Sequence, residues 1–170
     1  MRRITAARSR AVDSRVPPGE IVAATLRQYA DRGVFGALEV KQRRGGRWEY
    51  TFTWLFRRPM TLMFDPGSHD IRFHRLLPHV DHKSPMVAAL RTLVEGRPRR
   101  NVPAHRRLDG RRARAACVVT DRDFSLTLKV RGSHYEYAVR GGLNLINELF
   151  LLLHEMYPEY LVEHFGLSTD

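Results

Sequence analysis

The sequence predicts an α+β fold, an antiparallel sheet of six or seven strands with helices packed mainly on one face. Three observations carry this. Apolar residues recur at every second position across 35–73 and again across 116–139, the period of a half-buried strand. They recur at spacings of three and four across 20–32, 84–96 and 142–157, the period of a helix lying on a core. The resulting order is helix, strand meander, helix, strand meander, helix, the pattern of a diverged structural duplication. At 170 residues the chain suits a single domain that buries enough surface to need no covalent staple.

Residues 1–16 are rich in Arg, Ser and Ala without an apolar period, and read as a basic flexible arm ahead of a single domain over 17–170. Val16-Pro17-Pro18-Gly19 ends the arm. Ile21, Val22, Thr25, Leu26, Tyr29 and Ala30 share one side of a helix over 20–32, and Gly33 stands where a helix closes in the left-handed conformation. From Phe35 the period drops to two. Leu38 and Val40 alternate with charges, Arg44-Gly45-Gly46-Arg47 supplies a turn, and Trp48, Tyr50, Phe52, Trp54 and Phe56 give a hairpin one aromatic face. That row is the shape of a base-stacking platform, but it is also the single apolar face that a half-buried strand requires, and the second account is preferred. Met60, Leu62 and Phe64 continue the pattern, Asp65-Pro66-Gly67-Ser68 turns the chain, and Ile71 and Phe73 begin a strand that Pro78 ends. Ser84 is placed to cap a helix with Pro85 at its first position, and Met86, Val87, Leu90, Leu93 and Val94 form its stripe before Gly96.

These elements make a first half over 17–96. An arginine-rich connector over 97–114 follows, expected to run over the surface, and then a second half over 115–170. There, 116–120, 124–130 and 135–139 read as three strands. The stretch GLNLINELFLLLHEMY at 142–157 is the most apolar in the chain. Its polar residues Asn144, Asn147, Glu148, His154 and Glu155 fall on one narrow stripe, so this helix is expected to be buried on most of its circumference. It is too short and too interrupted for a bilayer, which needs about 20 predominantly apolar residues. Pro158 should break it, and Tyr160, Leu161, Phe165 and Leu167 suggest a last turn that tucks back. This order of elements resembles, at the level of fold, the topology of type III secretion chaperones, although those chaperones are typically acidic and this chain is basic.

The net charge of +11 is unevenly placed. Residues 1–15 carry +4 and residues 97–114 carry +7, so the rest of the chain is neutral. The connector gathers Arg97, Arg99, Arg100, His105, Arg106, Arg107, Arg111, Arg112 and Arg114, the candidate binding residues of this protein. Guanidiniums at this density suit phosphates, or carboxylates on a protein partner. They also suit the chain itself, because residues 141–170 carry Glu148, Glu155, Glu159, Glu163 and Asp170 with no Lys or Arg.

Catalytic handles are missing. No GxSxG, GxGxxG or GxxxxGK[ST] occurs, and His154-Glu155 fails as HExxH because residue 158 is proline. His79, Asp81 and His82 are the nearest approach to a metal loop, but their spacing matches no zinc pattern. Cys117 stands alone within a strand, which leaves no intrachain disulfide and reads as a small buried thiol. With no apolar signal segment at the N-terminus, a cytoplasmic location is expected. The sequence therefore points to a non-catalytic interaction module without cofactor or metal, binding a protein partner or forming a homodimer and not a membrane. Electrostatic nucleic-acid binding through the connector and the N-terminal arm is the alternative, and an enzyme or metal protein using the His79, Asp81 and His82 loop is the third.

Overall fold

A computed structural model describes residues 16–168. The basic arm falls almost wholly outside them. Among the described residues the architecture is α+β: one antiparallel sheet of six strands with four α-helices.

The first helix, α1 (Pro18–Asp31), starts on proline and buries Val22, Ala23, Thr25 and Leu26. Gly33 follows at φ 76, where an L side chain would be strained. Four strands come next: β1 (Gly36–Gln42), β2 (Trp48–Trp54), β3 (Arg58–Asp65) and β4 (Asp70–Leu77). Gly45 and Gly46, both at positive φ, turn β1 into β2. Asp65 closes the turn into β4 by accepting the Gly67 N–H at 2.9 Å. In α2 (Pro85–Glu95), the Ser84 hydroxyl caps the first turn by accepting the Val87 N–H at 3.2 Å.

The second half contains β5 (Ala113–Thr120), β6 (Asp123–Val130), α3 (Tyr135–Met156) and α4 (Pro158–Phe165). The third strand expected over 135–139 is instead the opening of α3. Tyr135, Ala138, Val139 and Gly142 are its buried residues, a spacing of three and four. Tyr135 and Val139 share a face at a period of two and at a period of 3.6, and Tyr137, which alone separates the two, lies off the buried face with its hydroxyl bonded to the connector. Four strands precede α2 and two follow it, so the halves contribute unequally. Pro158 ends α3, as its missing N–H requires, and starts α4.

Strand order is β1-β2-β3-β4-β6-β5. The chain leaves β4, crosses through α2 and the connector to the far edge, and returns as β6 between β4 and β5. Tyr50, Phe52, Leu62, Phe64, Ile71, Phe73, Phe124, Leu126 and Leu128 all point to one face and are fully buried there. The aromatic row is thus core at Tyr50 and Phe52, with Trp48 and Trp54 half-buried against it, whereas Phe56 lies in the turn beyond β2 and is exposed. Helices α1 and α3 pack side by side over this face, and α2 covers β5. On the other face Thr51, Thr61, Arg72, His74 and Thr127 stay partly exposed, and no helix covers them among the described residues.

Two close approaches set the helix layer. A Cβ on Gly142 would come within 2.6 Å of the Phe73 ring and 2.8 Å of Leu128 Cδ1, so α3 lies closer to the sheet than any side chain at this point would allow. A Cβ on Gly19 would run into the Trp48 indole, and the Tyr50 hydroxyl donates to the Gly19 carbonyl at 2.7 Å, so one glycine docks α1 onto β2.

Candidate functional site

Asn144, Asn147, His154 and Glu155 are exposed and Glu148 is half-buried, forming the one outward stripe that the spacing on α3 predicts. What lies along it is the connector. Leu108, 5% exposed, is its apolar anchor, seated against α3 where Gly141 leaves room: a Cβ there would stand 2.8 Å from Leu108 Cδ1. The Tyr137 hydroxyl accepts the Asp109 N–H at 2.8 Å, and the Leu108 N–H donates to the Arg97 carbonyl at 3.2 Å. A loop with few apolar residues is fixed by these local bonds.

Arg97 departs from expectation. It is 6% exposed, not on the surface, and its guanidinium pairs with Glu148. Burial, with the neighbouring Arg106 charge, holds Arg97 below the usual arginine range. Arg106 also pairs with Glu148 through Nε. Arg107 turns back into the connector, its Nη2 donating to the carbonyls of Arg100 and Val102, each at 2.9 Å. Arg111 and Arg112 lie 3.7 Å and 3.8 Å from Asp109, and Arg112 also sits 5.1 Å above the Tyr137 ring. Arg99, Arg100, His105 and Arg114 make no ion pair among the described residues, and Arg114 belongs to β5 rather than to the connector.

Between connector and helix lies a cleft of about 350 Å³, lined among others by Arg97, Arg106, Arg107, Arg140, Asn144 and Glu148. Sequence reasoning missed Arg140, Asn144 and Tyr137 as members of a site, because only the fold brings the connector over α3. It did name Glu148 as a possible internal partner, alongside Glu155, Glu159, Glu163 and Asp170, the last of which lies outside the described residues. Glu155, Glu159 and Glu163, equally acidic, make no pair with the connector among the described residues. The cleft offers several guanidiniums, two amides and the Glu148 carboxylate paired with Arg97 and Arg106, and guanidiniums are donors that suit carboxylates or phosphates. One turn beyond Glu148 on the same stripe, Leu151 is 60% exposed.

His79, Asp81 and His82 do not converge. The His79 ring stacks on His164 at 5.3 Å, while Asp81 accepts the Lys83 N–H at 2.9 Å with His82 Nδ1 at 3.9 Å. No group of three or more His, Cys, Asp or Glu is arranged for a metal among the described residues. Cys117 is buried, which pushes its thiol up to about 12. No helix among the described residues is long and apolar enough to cross a membrane. No protein-family model, curated protein or solved structure matches the chain.

Proposed function

We propose that this chain is a non-catalytic interaction module whose recognition surface is the outward stripe of α3 with the arginine connector laid along it, and that its partner is a protein segment. The observation that carries this reading is the composition of that stripe. Glu136, Glu148 and Glu155 are interleaved with Asn144, Asn147 and the exposed Leu151. A nucleic-acid backbone laid there would meet repeated carboxylates, whereas a peptide can set its own carboxylates against Arg106 and Arg140 and an apolar side chain against Leu151. Arg106 is already paired with Glu148 and Arg140 with Glu136, so either kind of anionic partner competes with these internal contacts, and the carboxylates and Leu151 of the stripe are what favour the peptide.

Nucleic-acid binding is the second reading, favoured by Arg99, Arg100 and Arg114, which have no ion-pair partner among the described residues. Fluorescence anisotropy separates the two. A labelled peptide of mixed glutamate and leucine should bind, and Arg106→Gln and Leu151→Ser should each weaken it. Binding of random DNA or RNA with a steep salt slope, alongside no binding of the peptide, would replace this reading with the second. Binding of neither probe would remove both.

A further inference from the structure

The two edges of the sheet are built differently. β1 carries Glu39 and Lys41, shifts register against β2 between Gly36 and Glu39, and holds Ala37 at φ 50. Charges and irregular pairing are what keep an edge strand from accepting another chain. β5 has neither protection along most of its length. It runs eight residues in unbroken register with β6, and from Ala115 to Thr120 it contains no charge, proline or glycine.

One hydrogen bond reveals which backbone groups of β5 face outward. The Arg131 N–H donates to the Arg112 carbonyl at 2.9 Å, in the same register as the β5–β6 ladder. The even-numbered residues of β5 therefore bond β6, and the odd-numbered ones turn their N–H and C=O away from it. The Ala113 N–H is taken by the Asp109 carbonyl at 3.1 Å. Ala115, Cys117 and Val119 are left, and no backbone hydrogen bond from another element reaches them among the described residues.

We infer that a second copy of this chain pairs antiparallel with β5 about a two-fold axis through Cys117. In that register Ala115 faces Val119 and Cys117 faces Cys117, each pair exchanging two hydrogen bonds. The outward residues of each copy thereby satisfy those of the other. An axis through Ala116 would need the Ala113 N–H, which Asp109 holds. An axis between two residues would set the core face of one copy against the open face of the other. The charges agree with the Cys117 register, since it brings Arg111, Arg112 and Arg114 of one copy alongside the Asp121-Arg122-Asp123 turn of the other, and these clusters are opposite in sign. The edge lies under α2, apart from the α3 stripe, so either surface can be lost without the other.

Light scattering on the full chain across a concentration series should give a mass near twice 19.7 kDa. Amide exchange followed by NMR should show Ala115, Cys117 and Val119 protected together with Arg114, Ala116 and Val118. Val119→Pro deletes an outward N–H without taking a bond from β6. It should weaken the dimer about tenfold or more, through one lost hydrogen bond per copy. Ala116→Lys, at an exposed position on the open face, puts a lysine on the edge and should weaken the dimer even if the proline disturbs the strand. A single-chain mass at every concentration up to about 1 mM would overturn the inference, since even a weak dimer is populated there. So would a dimer whose Ala115, Cys117 and Val119 amides exchange freely, or one that persists undiminished in the folded variants.

Discussion

Arg97, the first residue of the connector, is buried against Glu148 near the middle of α3, and Arg106 reaches the same carboxylate from the solvent side. Surface ion pairs contribute little, but here both partners are largely withdrawn from water, and removing one leaves the other buried and unpaired. Glu148→Leu should therefore lower unfolding free energy by about 3 kcal/mol, and Arg97→Met by a similar amount. The double variant Arg97→Met with Glu148→Leu should recover most of that loss. Urea unfolding checks the cycle, and additive single losses would show that the two residues act separately.

Gly142 should resist substitution. Alanine normally stabilises a helix interior by about 1 kcal/mol relative to glycine. At Gly142 the added Cβ would meet the Phe73 ring at 2.6 Å and Leu128 at 2.8 Å, both fully buried. Overpacking of this kind costs about 1–3 kcal/mol, so Gly142→Ala should be destabilising on balance. Gly141→Ala meets only the Leu108 side chain, on the connector, and should be better tolerated. Thermal unfolding of the two variants decides the order.

Stability should fall in alkali. Burial, with the nearby Glu20 charge, pushes the Tyr50 phenol above its usual range, and burial pushes the Cys117 thiol up to about 12. Groups whose folded values are raised contribute fully below their unfolded values, about 8.5 for cysteine and about 10 for tyrosine, and lose that contribution as pH rises toward the folded values. Tyr50→Phe should be less stable at pH 7 by about 1 kcal/mol, through loss of the bond to the Gly19 carbonyl, yet lose less stability above about pH 10. Denaturant midpoints across pH 7 to 11 test both effects.

The acid side should involve His74. Burial, with the Arg75 and Arg72 charges, lowers its imidazole, and Nδ1 is buried without a hydrogen-bond partner among the described residues. A lowered folded value means that the contribution is intact above the unfolded value of about 6.5 and is lost as pH falls below it. His74→Gln should flatten the drop in unfolding midpoint between pH 7 and 5. An unchanged slope would place the acid sensitivity elsewhere.

Much of the fold was legible because it rests on local rules. Ser84-Pro85 carries a cap and a first-turn proline side by side, Pro158 falls where the interior of the long helix would otherwise continue and so ends it, and the alternating residues of β2, β3 and β6 place their apolar side chains on one face. The error at 135–139 has a local cause too, since Tyr135 and Val139 share a face at either period and a single residue, Tyr137, is too little to separate a period of two from one of 3.6.

The sequence by itself determined the α+β class, the burial of the long helix with one polar stripe, and the concentration of positive charge in one connector. Those properties follow from period and composition, which each segment carries alone. The tertiary structure decided that the chain passes from β4 to the far edge before returning as β6, that Arg97 is buried on Glu148, and that β5 rather than β6 has unpaired backbone. These depend on which segments become neighbours. Neighbourhood is set by how several apolar faces are buried at once, and no single segment encodes that.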